Sequence, residues 1–73
     1  MREQVRLPAQ VSFSNRRSKD CATINLSDLG AKLALPKNVI LPERFDLSIP
    51  ARNLKRRAQL VWRRGDEAGI VFV

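Results

Sequence analysis

The chain has 73 residues, enough for one small domain with a single core. Its 44% hydrophobic content is globular rather than disordered, and with no His and one Cys it excludes His-based triads, His/Cys zinc clusters and an internal disulfide. Fourteen Lys and Arg stand against seven Asp and Glu, for a net charge of +7, and ten of the fourteen are Arg.

Arg presents a planar fork to phosphates and guanine edges, so the charge points to an anionic partner; the same surface would also serve solubility alone. No apolar run is long enough to span a bilayer, and no apolar stretch follows Met1 as a secretory signal would. A lone Cys fits a reducing compartment. The expectation is a cytoplasmic protein that does not enter a membrane.

Residues 1–7 read as a flexible basic N-terminal arm of a single domain spanning 1–73. Leu7, Ala9, Val11 and Phe13 alternate with polar residues, which predicts a strand over about 8–14. Residues 14–18 form a polar turn. Ala22, Ile24 and Leu26 alternate with Cys21, Thr23 and Asn25 in a second strand, and Ser27-Asp28-Leu29-Gly30 closes it as a tight turn. Ala31, Leu33 and Leu35 make a third strand that Pro36 stops. Residues 36–43 carry two prolines and form a loop whose Val39-Ile40-Leu41 run is expected to tuck under the domain as a plug.

Phe45, Leu47 and Ile49 alternate in a fourth strand ended by Pro50, and residues 51–54 connect to a strand over about 55–63. Ala58, Leu60 and Trp62 share one face there, although the adjacent Val61 breaks the alternation. Residues 64–67 turn the chain into a last strand with Ile70 and Phe72 inward. No segment carries a capped apolar stripe at helical spacing. Six short strands hide their edges most cheaply as a small, closed antiparallel barrel, so the predicted fold class is all-β with little or no helix.

Ser27, Asp28, Glu43, Asp46, Asp66 and Glu67 are the residues with catalytic chemistry, but no spacing pairs an acid with a base and no His activates Ser27. The chain is expected not to be an enzyme and to use no metal or cofactor. Cys21 reads as a small, partly buried side chain, and Trp62 and the three Phe as core.

Two patterns remain. Arg2 and Arg6 form an Arg-x-x-x-Arg ahead of the first strand, and Asn25, Ser27 and Gly30 form an Asn-x-Ser-x-x-Gly between the second and third. The first is weak alone: ten Arg in this length produce about one such pair by chance, and Arg52 with Arg56 makes a second. The other also suits an ordinary strand corner. Order and setting carry the information. With NLSDLGAKL around the turn and LVWRRGDEAGIVFV at the end, the chain resembles the PilZ family, bacterial receptor domains for cyclic di-GMP, over nearly its whole length.

The resemblance implies a six-stranded antiparallel barrel that binds cyclic di-GMP as ligand. Arg2 and Arg6 would grasp phosphate and guanine, Asn25 and Ser27 would offer short polar side chains, and Gly30 would leave room for the base. The arm would order on binding and switch contact with a partner protein. The alternative is a PilZ-like adaptor that contacts proteins without the nucleotide. A basic barrel binding RNA or single-stranded DNA is disfavoured, because such barrels show exposed aromatics, and here there is no Tyr and the Phe residues fall at inward phases.

Overall fold

Val5, Leu7, Ala9 and Val11 recur at every second position, so an extended chain turns all four to one side. The computed structural model describes residues 3–13 and 17–73. In it, Ala9 and Val11 are buried, Val5 and Leu7 pack against them, and Gln4, Arg6, Pro8 and Gln10 are exposed. This alternation builds β1 (Glu3–Ser12), followed by β2 (Ser18–Leu26), β3 (Gly30–Ala34), β4 (Arg44–Ile49), β5 (Leu54–Arg64) and β6 (Glu67–Phe72). All pairings are antiparallel, and the order β1-β2-β3-β6-β5-β4 closes through the β4–β1 pair. The structure is thus the six-stranded barrel expected from the sequence. Its only helical element among the described residues is the 3-10 turn Pro50–Arg52, after which Asn53 turns left-handed (φ 50°) into β5.

The core is a column of alternating residues from every strand: Val11, Leu26, Leu33, Phe45, Leu47, Ile49, Ala58, Ala68 and Ile70 are all buried. Phe13 and Phe72 pack against it. The closing seam is short: β1 meets β4 through Gln10–Ser12 against Asp46–Ser48.

Four local expectations need correction. The first strand begins at Glu3 rather than near 8, because Glu3 and Gln4 pair with Leu26 and Asn25 at the far end of the nine-residue β2. Residues 3–7 of the expected arm are therefore strand; Arg2 and the turn residues 14–16 lie outside the described residues. In β2, Thr23 faces Leu33 and Asn25 faces Lys32, leaving Ile24 as the extra residue of a bulge. The bulge reverses the phase: Thr23 is fully buried, while Ala22 and Ile24 are only half-buried and stand outside the core. In the 36–43 loop, Leu41 is buried and Val39 packs against the core, but Ile40 is 87% exposed, so the plug is two residues rather than three. Arg63 holds this loop. Its guanidinium donates from Nη1 to the Val39 carbonyl (2.7 Å), from Nη2 to the Pro36 carbonyl (3.0 Å) and from Nε to the Gly65 carbonyl (3.0 Å).

The fourth correction lies in β5. Leu60 pairs with Ile70 and Trp62 with Gly69, so Val61 is extra and the phase flips there as well. Leu60 still packs on the core, whereas Val61 and Trp62 are exposed (59% and 41%). Trp62 is a surface residue, not the core residue its spacing from Ala58 suggested.

Candidate ligand-binding site

The turn between β2 and β3 is built around one hydroxyl. Ser27 Oγ accepts from the backbone N–H of Leu29 (3.4 Å) and of Gly30 (3.3 Å) and donates to the Gly30 carbonyl (3.2 Å). The Ser27 N–H donates to that same carbonyl at 2.9 Å. One donor and two acceptor positions exhaust a serine hydroxyl, so Ser27 shapes the turn before it meets any ligand. Gly30 is also required by the packing of the neighbouring strand. A Cβ there would overlap the Ile70 carbonyl oxygen and stand 3.0 Å from Val71 Cα, so the missing side chain makes room for β6.

On the outer surface the turn forms one wall of a hollow of about 270 Å³. Ser27, Leu29 and Gly30 stand on one side, Val61 and Trp62 on the other, with Lys32 and Gly69 between. The β5 bulge turns the indole outward, and Gly69 lets it lie down: a Cβ on Gly69 would overlap the Trp62 ring. Cross-strand register extends this surface. Trp62 pairs with Gly69, Gly69 with Lys32, Lys32 with Asn25 and Asn25 with Gln4, a row across five strands. At the usual spacing of neighbouring strands, Asn25 and Trp62 lie roughly 15 Å apart along it.

Of the residues singled out from sequence, Ser27 and Gly30 line this hollow, and half-buried Asn25 joins it through the row. Exposed Arg6 is two residues beyond Gln4 on β1 and lines a neighbouring hollow with Ala22, Ala34, Pro36 and Asp66. Trp62, Val61 and Lys32 were missed. The clue was Leu60-Val61-Trp62, three apolar residues in succession within an alternating strand, which marks a bulge.

Charge in the row is supplied by Lys32, whose Nζ is 3.3 Å from Glu67 Oε1, both side chains being about one-third exposed. Such a surface pair is weak, so an incoming phosphate can draw the ammonium away. The carboxylates do not assemble: Glu67 is with Lys32, Asp46 is 3.8 Å from Arg57, and Asp28 and Asp66 line different hollows. Among the described residues no group of three potential ligands could hold a metal. Burial, with the charge of Asp20 adding to it, pushes the Cys21 thiol from 9.0 up to about 11, which makes it a poor nucleophile.

The family model for the PilZ domain matches residues 1–73, the whole chain. The chain belongs to the PilZ family. PilZ domains are in general receptors for cyclic di-GMP, and the family is one of ligand-binding and adaptor domains rather than catalysts. Among solved structures the chain resembles an uncharacterized protein of Legionella, with a TM-score of 0.66 and 16% identity over 100% of this chain and 76% of that one. At that identity the likeness shows the fold. No curated protein sequence matches the chain significantly. No helix of the described residues is long and apolar enough to cross a membrane.

Proposed function

We propose that this PilZ domain binds cyclic di-GMP on the outer face of the barrel, along the row from Asn25 to Trp62, and thereby changes its contact with a partner protein in the cytoplasm. The observation that carries this reading is the hollow that joins the Asn-x-Ser-x-x-Gly turn to an exposed indole. A guanine base is a flat π-system, and stacking on an aromatic face contributes about 1–3 kcal/mol per base. Lys32 supplies a mobile positive charge beside it, and the Asn25 side-chain amide can both donate and accept along a base edge. Arg6 lies on β1 two residues beyond the end of the row at Gln4, from where a long guanidinium would reach toward a phosphate or the O6/N7 edge of guanine. Arg2, which lies outside the described residues, would add a second guanidinium to the grasp.

Calorimetric titration with cyclic di-GMP at two salt concentrations tests this. Saturable binding that Arg6→Ala and Trp62→Ala each weaken at least tenfold, with both variants folded by circular dichroism, supports the receptor reading. Absence of heat from the folded wild-type chain overturns it and leaves an adaptor that does not use the nucleotide.

A further inference from the structure

The second Arg-x-x-x-Arg of the chain, Arg52 and Arg56, is not used by the ligand row. The fold brings both arginines to the end of the barrel, into a hollow of about 170 Å³ against the other side of the Ser27 turn. Ser27, Asp28 and Phe72 line it with them. The hollow has the volume of several waters at roughly 30 Å³ each, room for one phosphate group with part of its hydration shell. Contacts within the protein position its lining. Arg52 sits on the 3-10 turn and already has an interaction within the protein. The Arg56 guanidinium lies 4.7 Å over the centre of the Phe72 ring, and the Phe72 N–H donates to the Leu29 carbonyl at 2.9 Å, tying that ring to the turn. Stacking engages the face of a guanidinium and none of its five N–H donors, which all lie in its plane. Arg56 is thus held in orientation with its donor edge available for a bidentate acceptor.

We infer that this hollow is a second anion site, taking a phosphate group between Arg52 and Arg56. It is separate from the Trp62 hollow, and the inference stands without the cyclic dinucleotide. The Asp28 carboxylate lines the same hollow and opposes an anion there, which provides an internal test.

Amide and arginine Nε–H resonances would be followed during titration with inorganic phosphate, and separately with glycerol 3-phosphate, at constant chloride ionic strength. Saturable shifts at Ser27–Leu29, Arg56 and Phe72, with the Trp62 indole unmoved, are expected. Equal affinity for the two probes assigns the site to the free anion, and tighter binding of glycerol 3-phosphate assigns it to an ester. Arg56→Gln should weaken binding about tenfold, and Arg56→Lys should weaken it severalfold by losing the flat, forked donor. Asp28→Asn should tighten binding severalfold, while Asp66→Asn, the same change of charge in a different hollow, should not. No saturable shift at the turn, or equal tightening by Asp28→Asn and Asp66→Asn, overturns the inference. Because Asp28→Asn reports a gain, it remains decisive if an arginine variant fails to fold.

Discussion

The Trp62 indole occupies the space where a side chain on Gly69 would stand, one strand away. This contact lays the only tryptophan of the chain along the barrel surface and makes the wall of the candidate site. Gly69→Ala should therefore lift the ring into solvent. The expected result is a red-shifted tryptophan emission and at least tenfold weaker cyclic di-GMP binding. The fold should persist, because the displaced atoms belong to a side chain already 41% exposed.

Gly30→Ala should behave differently. The added methyl meets backbone of β6 rather than a movable side chain, so the cost falls on stability. Overpacking of this kind costs about 1–3 kcal/mol. A chemical denaturation curve should show this loss, and hydrogen exchange should quicken along the β3–β6 pairing. Ser27→Ala removes three long hydrogen bonds from the same turn and should cost about 1–2 kcal/mol. Any affinity that Ser27→Ala loses then reflects the shape of the turn.

Arg63 joins the end of β5 to the 36–41 segment through carbonyls only. Lys cannot reproduce a three-donor fork, so Arg63→Lys should loosen the segment nearly as much as Arg63→Ala. Hydrogen exchange at the Val39 N–H, which donates to the Pro36 carbonyl at 3.0 Å, reports this directly. Exchange there should accelerate in both variants while amides in β1 and β2 remain protected.

Thr23 is fully buried, and its Oγ1 has no hydrogen-bond partner among the described residues. Valine has the same shape without the unsatisfied hydroxyl. Thr23→Val should stabilise the barrel by about 1 kcal/mol, read as a higher denaturation midpoint with an unchanged slope.

Cys21 titrates near 11 in the folded chain because it is buried and adjoins Asp20. Between its ordinary value of 9.0 and about 11, the folded state holds a proton that the unfolded state has released, so this group lowers stability as pH rises through that window. Below pH 9 it contributes no pH dependence. Alkylation at pH 8 should run roughly 100-fold slower in the folded than in the unfolded chain, a factor set by the two-unit difference in thiolate fraction.

The barrel was legible because alternation is local: Leu33 and Leu35, or Phe45, Leu47 and Ile49, need no partner to declare their face. What was not legible depends on neighbouring strands. Ile24 and Val61 become bulge residues only through their register with β3 and β6, and each bulge reverses the faces beyond it. That reversal hid Trp62 among the core residues and made Thr23 look like surface. The alternation of β1 already begins at Val5, but its first two residues, Glu3 and Gln4, become strand through pairing with Leu26 and Asn25 of β2. The Asn-x-Ser-x-x-Gly pattern located the turn, but the same pattern serves to join β3 to β6, which the linear sequence does not display.

The central claim is that ligand lies along the row from Asn25 to Trp62. Its most direct test is a titration of isotopically labelled chain with cyclic di-GMP, following the Trp62 indole N–H and the Asn25 side-chain amide together. Both signals should shift along one saturable curve, and Arg6→Ala should move that curve to at least tenfold higher ligand concentration. Unmoved signals in a folded chain, or binding whose shifts bypass both groups, would contradict the account.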